Sequence, residues 1–411
     1  MAKLIHPLQA RPVFGYFCRI VNQQTFIVAA QRSAIGRFGG ALGQQPLAEW
    51  GTTVLRATVK AAGLAPEVIE EVILGQTLGA GHGITVARRI ALQAGLADGS
   101  RAWTLNQACA SGMVAVQHAD RMIRCGDAAI IVAGGVEHMS AAPFISRSLR
   151  WGARFGAAKM EDEVENGLTC PVTALVMGCT AENIRRQYNI SRQEQDEFAH
   201  RSQELAHAAI QSKRFADEIV PIEIAAKQAK IIFDIDEHPR LSSVAVLGKL
   251  KPAFDAAGTV TAGNASGIND GAAMLVVASA AAVNKHGLQP VARIVASATS
   301  GVDPKVMGLG PILAIQRVLA KAGLTLADME LFEINEAFAV QVLGVLREVP
   351  VPLAKLNVNG GGIALGHPTG CSGARILVTL IHEMKKRGLR FGLASLCVGG
   401  GMGAATIVEV L

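Results

Sequence analysis

Aromatic residues are scarce, at 4% of the 411-residue chain, and charged residues make up only 18%. So few aromatics leave little with which to stack nucleic-acid bases, and a hydrophobic fraction of 50% excludes a disordered chain. No apolar run reaches the roughly 20 residues that a membrane-crossing helix needs, so a soluble protein without a membrane partner is expected. The seven cysteines, Cys18, Cys109, Cys125, Cys170, Cys179, Cys371 and Cys397, are odd in number and form no C-x-x-C pair. A disulfide framework and a structural zinc site are thereby disfavoured, and a reducing compartment follows. The ten histidines show neither H-x₃-H nor H-E-x-x-H, so no metal is expected. Acidic residues are missing before Glu49, while Lys3, Arg11 and Arg19 are basic, as in an organelle-targeting peptide. Yet serine is also missing before Ser33. Residues 1–24 are therefore expected to be an extension, and the protein cytoplasmic, with the mitochondrial matrix as the alternative.

What is abundant is glycine, 44 residues, together with small aliphatic side chains, which suits helices packed closely on sheets. The length suffices for about two to three domains of roughly 150 residues and a large core. The net charge of +6 is dispersed, which permits an anionic small ligand and argues little for nucleic acid.

The chain repeats itself faintly. "KAAGLAPEVIEEVILGQ" from Lys60 returns as "AKAGLTLADMELFEINE" from Ala320, with the Ala-Gly-Leu triplets 260 residues apart. "CASG" from Cys109 and "GCSG" from Gly370 lie at an offset of 261, each opening an amphipathic helix followed by an apolar strand that ends in Gly-Gly. Two homologous α/β halves of parallel strands and crossover helices, stacked around shared helices, account for this. The expected division is residues 25–145 with 260–280 for the first half, 281–411 for the second, and an inserted loop domain at 146–259. That insertion should carry a long helix from about Arg192 to Lys213, started by the capping box Ser191-x-x-Glu194.

Several segments can carry chemistry. In "LNQACASGM", Cys109 stands before a predicted helix, whose positive end would stabilise a thiolate and lower the thiol pKa; buried packing is the competing role for a free cysteine. "NVNGGGIALGHPTGCSG" holds six glycines in the 14 residues from Gly360 and a single histidine, His367, in a loop whose uncovered N–H groups suit oxyanion donors beside a general base. This loop lacks both G-x-G-x-x-G and G-x-x-x-x-G-K-[ST], so it is not a phosphate motif. "SLCVGGGMG" puts Cys397 at the end of an apolar strand, where α/β sheets bind ligands. "EINEAFA" puts Asn335 and Glu336 at another strand end, and "TVTAGNASGINDGAA" offers Asn264 and Ser266 as a wall for a long thin ligand.

Taken together, "IVAAQRSAIGRFGG", "NQACASG", "VAGGVEHMS", "MGCTAENI", "TAGNASGINDGAA", "NEAFA", "NGGGIALGHPTGCSGAR" and "CVGGGMG" resemble the thiolase family in one collinear order from Thr25 to Leu411. The resemblance implies an α-β-α-β-α layered fold with a coenzyme-A-binding loop domain. It further implies reversible condensation of two acetyl-CoA to acetoacetyl-CoA plus coenzyme A, by a ping-pong mechanism through an acyl-cysteine. Cys109 would be the acyl-carrying nucleophile, His367 its activator and Cys397 the base toward the second acetyl-CoA. Asn335, through a water, and His367 would form one oxyanion hole; the N–H groups of Cys109 and Gly399 would form the other. Ser266, Met177, Phe254, Ala262 and Leu168 match residues along the coenzyme A tunnel. The phosphates of coenzyme A call for basic residues, for which Arg240, Lys249 and Lys251 are candidates. Coenzyme A would be substrate and product, no cofactor would be permanently bound, and the chain would form a homodimer or a dimer of dimers.

One departure bears on substrate range. Members specialised for acetoacetyl-CoA often carry a histidine just before "MG"; here Val176 stands there, which favours a broader 3-ketoacyl-CoA range. A decarboxylating enzyme of the same fold would have histidine or asparagine in place of Cys397, and a non-catalytic acyl-CoA or lipid carrier need not keep Cys109, His367 and Cys397 together.

Overall fold

The computed structural model describes residues 24–225 and 230–411. The expectation of an N-terminal extension falls, except for Gln24, outside the described residues.

Strands β1 (Thr25–Ser33), β2 (Glu71–Gly75), β3 (Arg101–Leu105), β4 (Ile130–His138) and β5 (Asn269–Ser279) form the sheet of the first half, in the order β1-β5-β4-β2-β3. In the second half β6 (Ala292–Gly301), β7 (Leu331–Ile334), β8 (Phe391–Val398) and β9 (Met402–Val410) follow the order β6-β9-β8-β7. The two orders are the same pattern. In each, the last strand runs antiparallel between two neighbours, and the parallel pairs lie on the far side. The strand that would match β3 shrinks in the second half to a single bridge, Phe332 to Leu356. Pro350 and Pro352 lie just upstream, each without the N–H a ladder needs. The two sheets touch at one corner, where Phe26 and Ile27 of β1 pair with Arg293 and Ala292 of β6.

Among the helices of the described residues are α1 (Leu47–Ala61), α2 (Ser111–Cys125), α3 (Met177–Tyr188), α4 (Arg192–Gln211), α5 (Gly310–Ala322), α6 (Ala339–Glu348) and α7 (Thr369–Arg387). Strand β5 shows why both faces of a sheet must be covered. Its residues alternate between two cores: Met274 and Val276 pack with α1, whereas Leu275 and Val277 pack with α2 and α7. Helices α2 and α7 form the shared central layer, and α5 and α6 cover the far face of the second sheet. The result is the expected α-β-α-β-α stack. The central helices approach closely because both carry glycine at the crossing; a Cβ on Gly373 would lie 2.5 Å from the backbone nitrogen of Met113.

The segment between the halves is bolted to the core. Arg32 on β1 pairs with Glu218 at 2.6 Å and Asp236 at 2.7 Å, all three buried, so losing the guanidinium would leave two buried carboxylates without their cation at a cost of about 3–5 kcal/mol. Helix α4 starts with the expected capping box: Ser191 Oγ accepts from the Glu194 N–H, and Glu194 Oε2 accepts from the Ser191 N–H at 2.7 Å. It ends two residues before the expected Lys213. Among the described residues no helix is long and apolar enough to cross a membrane.

Candidate active site

Four loops converge where the two halves meet. The first runs from β3 into α2 and carries Cys109. Its preceding residue, Ala108, has φ of 44°, a left-handed conformation that costs a non-glycine residue about 1 kcal/mol or more. Surrounding bonds hold it there: the Ala108 N–H donates to Asn106 Oδ1 at 2.8 Å, and the Ala108 carbonyl accepts from Ser111 Oγ at 2.7 Å and Thr77 Oγ1 at 3.3 Å. The second loop joins β8 to β9. Cys397 sits near the end of β8, fully buried, and Gly400 and Gly401 take φ of 89° and 87° in the turn, which a side chain would strain. This turn aims the Gly399 N–H at the Cys109 sulfur, toward which the N–H of Cys109 itself also points.

Burial dominates the electrostatics. The Cys109 thiol is half-buried, yet desolvation pushes its pKa up to about 11, with the two N–H groups pulling it partly back and the Glu137 charge adding to the rise. The expected helix-stabilised thiolate is thus corrected to a neutral thiol at rest. The helix begins at Ser111, two residues past the sulfur, and its dipole falls off too steeply to offset the desolvation. Cys397 is pushed up further, by burial and by the neighbouring Cys109.

His367 comes from the third loop, just before α7. Its imidazole is buried, and desolvation aided by the Arg375 charge brings its pKa down to about 4, so it is neutral and able to accept a proton. Its tautomer follows from the bond inventory. Ser372 Oγ donates its one hydrogen to the Pro368 carbonyl at 2.8 Å, so at 2.6 Å from His367 Nδ1 it can only accept; Nδ1 carries the proton and Nε2 is the free base. Nothing in the sequence pattern singled out Ser372. A consequence for stability follows as well. Between about pH 6.5 and 4 the unfolded state binds a proton that the folded His367 refuses, so stability falls on acidification through that window, by up to about 3 kcal/mol from this group. Urea unfolding at pH 7 and pH 4.5 should therefore show a smaller loss in His367→Asn than in the natural chain; an equal loss would show that His367 is not buried neutral.

The glycines around His367 serve a different purpose from the expected one. They do not leave N–H groups open to a ligand. The Gly361 N–H donates to Ser202 and the Gly370 N–H to Glu137, and a Cβ on Gly361 would lie 2.2 Å from the Glu336 carboxyl carbon. At Gly361 and Gly370 glycine is there because the backbone is pressed against the buried carboxylates of Glu336 and Glu137. Asn335, from the fourth loop after β7, places Nδ2 at 3.4 Å from both ring nitrogens of His367, and its buried Oδ1 has no partner. Glu336 beside it is tied to Ser202, Asn357 and Ile363 and is structural.

A cavity of about 640 Å³ leads to this centre and has His367 and Thr369 in its wall. Leu168, Met177, Phe254, Ala262, Ser266 and Arg240 line it, as does Val176. Lys249 and Lys251 are exposed and form no part of the wall. Asn264 is corrected too: it is buried and structural, donating to Asp196 and Thr259 and accepting from the Thr261 N–H. Arg37 and Phe38, which lie within "IVAAQRSAIGRFGG" but have no expected role there, and Glu237 and His238, which lie outside the quoted motifs, are wall residues that sequence reasoning missed. Cys109, Asn335, Cys397 and Gly399 are not in the wall itself; Gly399 adjoins it through Met177, whose sulfur lies 3.3 Å from where its Cβ would be. Among the described residues no group of three or more His, Cys, Asp or Glu side chains is placed to hold a metal ion.

A buried cysteine neighbouring a half-buried one, together with a neutral histidine in the wall of a cavity of about 640 Å³, defines an acyl-transferring enzyme site. The comparisons with known proteins agree. Residues 25–281 match the thiolase N-terminal domain and residues 288–410 the thiolase C-terminal domain. The chain is 50% identical to an acetyl-CoA acetyltransferase of Syntrophomonas wolfei, over 95% of this chain and all of that one. The solved acetyl-CoA acetyltransferase of Bacillus anthracis is 48% identical with a TM-score of 0.93, covering 95% of this chain and 99% of that one. Human mitochondrial 3-ketoacyl-CoA thiolase, solved in complex with CoA, is 41% identical with a TM-score of 0.91, over 95% and 98% of the two chains. The chain belongs to the thiolase family and is an acyltransferase.

Proposed function

We propose that this protein is an acetyl-CoA C-acetyltransferase, interconverting two acetyl-CoA with acetoacetyl-CoA and coenzyme A through an acetyl group held on Cys109. The observation that carries the reading is a neutral His367, its Nε2 free, in the wall of the cavity, at a site that also holds two neighbouring thiols of raised pKa.

The proton balance closes without any permanently bound cofactor. His367 Nε2 takes the Cys109 proton, and the thiolate attacks the thioester carbonyl while the N–H groups of Cys109 and Gly399 receive the developing oxyanion. Coenzyme A departs with the proton of Cys397, leaving a Cys397 thiolate opposite the His367 imidazolium. A thiol whose pKa is raised by burial gives a strongly basic thiolate, which the weakly acidic methyl group of the second acetyl-CoA demands. Its enolate, held by His367 and a water on the unpartnered Asn335, attacks the acetyl carbon. Cys109 then leaves as thiolate and recovers the proton from His367. Both cysteines end as they began.

Leu168, Met177, Phe254, Ala262 and Ser266 are assigned to the pantetheine arm and Arg240 to the phosphates, with the 146–259 segment acting as the coenzyme-A-binding loop domain. We place the enzyme in the cytoplasm as a homodimer or a dimer of dimers; the exposed Trp151 and Phe155, at 86% and 102%, favour a further covered face.

Val176 in the cavity wall favours a second reading, a broader 3-ketoacyl-CoA thiolase of fatty-acid degradation. Thiolysis of acetoacetyl-CoA and of a medium-chain 3-ketoacyl-CoA, measured side by side, separates the two. The acetyltransferase reading expects at least a tenfold higher kcat/KM on acetoacetyl-CoA, roughly the weight of one pocket contact. Equal or better use of the longer chain favours the second reading. No turnover of either by folded protein revives the carrier reading.

A further inference from the structure

Helix α7 lacks a cap of its own. Its N-cap residue is Pro368, which offers no side-chain acceptor to the free N–H groups of the first turn. The missing acceptor arrives from the other half of the molecule. Glu137, fully buried on β4, accepts from the Gly370 N–H at 2.7 Å and from Thr369 Oγ1 at 2.8 Å with Oε2. The same carboxylate accepts from the Thr77 N–H at 2.9 Å and the Leu78 N–H at 3.1 Å. All four partners are donors, so the group is an acceptor only, and it is held as a carboxylate although burial raises its pKa.

These four bonds lead to both reactive side chains. Thr369 and Gly370 lie two and three residues after His367. On the other side, Thr77 Oγ1 donates to the Ala108 carbonyl and the Thr77 carbonyl accepts from Asn106 Nδ2 at 3.1 Å, which fixes the strained turn carrying Cys109. Helix α2 is arranged differently: no acidic residue occupies its first turn.

We propose that Glu137 is a positioning residue that holds the Cys109 turn and the His367 turn in one register across the boundary between the two halves. It touches neither substrate nor the reacting atoms. It acts through Thr77 on the nucleophile and through Thr369 and Gly370 on the base. Misplacement by about 1 Å in such a pair costs on the order of 100-fold in rate. The proposal rests on the acyl-transfer reading for what the pair does, while the geometry of the clamp stands apart from it.

The test uses the full chain with Glu137→Ala and Glu137→Gln, assayed by thiolysis of acetoacetyl-CoA and by iodoacetamide alkylation of Cys109 as a function of pH. Glu137→Ala should lose about 100-fold in kcat per folded molecule with KM within about twofold, because Glu137 itself is not in the cavity wall. Glu137→Gln keeps the shape and one acceptor oxygen and should recover about tenfold of that loss. Because the carboxylate raises the Cys109 thiol, its removal should also move the alkylation midpoint to lower pH. A merely structural carboxylate would lower the thermal midpoint and the yield, and its lost charge would by itself shift the alkylation midpoint, yet kcat per folded molecule and the limiting alkylation rate above that midpoint would stay unchanged; that result overturns the proposal. If Glu137→Ala does not fold, Glu137→Gln decides by the same two readouts. Alkylation needs no thioester chemistry, so a natural chain that fails to turn over acetoacetyl-CoA counts against acyl transfer and leaves the alkylation comparison as the test of Glu137.

Discussion

Cys109→Ser is expected to abolish acetyl-enzyme formation and to lower thiolysis of acetoacetyl-CoA by about 10⁴-fold or more, the scale at which loss of a nucleophile is felt. The reason lies in the site. A hydroxyl is far less acidic than a thiol, and this site already holds the thiol neutral by burial, so His367 alone would have to remove a much more reluctant proton. Two N–H groups that now aim at sulfur would face a shorter, harder oxygen. Stopped-flow release of coenzyme A from acetyl-CoA reads the step directly. An acetyl group found on another cysteine of the variant, with turnover retained, would defeat the assignment. Cys371 is the natural control, since it is buried beside Arg375 and takes no part in the scheme.

The second large effect belongs to Cys397. Cys397→Ser should still acetylate at Cys109 and release one equivalent of coenzyme A, more slowly because coenzyme A then leaves as a thiolate without the Cys397 proton, and should then fail to condense or cleave, with a loss of about 10²–10⁴-fold, the range of general acid–base catalysis. The split between a preserved first half-reaction and a lost second one distinguishes a base from a packing residue. A simple packing defect in the buried cluster around Val340, Phe338 and Ala265 would slow both halves together. Normal condensation by folded Cys397→Ser would remove its role as base.

Much of this site is legible before any coordinates. The offset between Cys109 and Gly370 exposes the two halves, and the identical strand orders are the structural counterpart of that repeat. Cys109, His367, Cys397 and Asn335 stand in segments whose glycine and small-residue content sets them apart. The errors share one cause. Placing Cys109 before a helix led to a thiolate, because sequence spacing shows the dipole and hides the depth of burial that outweighs it. The glycine loop looks open in the sequence for the same reason, although Gly361 and Gly370 are pressed against the carboxylates of Glu336 and Glu137. Glu137 and Ser372 are invisible in the sequence for another reason: each acts through one hydrogen bond or a few to distant or unremarkable partners, and a lone acid in "VAGGVEHMS" carries no mark of Thr369, 232 positions further on.

The central claim is that an acyl group passes through Cys109 on its way between sulfur and carbon. The most direct measurement is the intact mass of the protein after brief exposure to acetyl-CoA, followed by peptide mapping and by addition of free coenzyme A. One acetyl group located on Cys109, lost when coenzyme A is added and regained with fresh acetyl-CoA, is the expected result. A protein that cleaves acetoacetyl-CoA while Cys109 stays unmodified, or that carries its acetyl group on any other residue, would contradict the account.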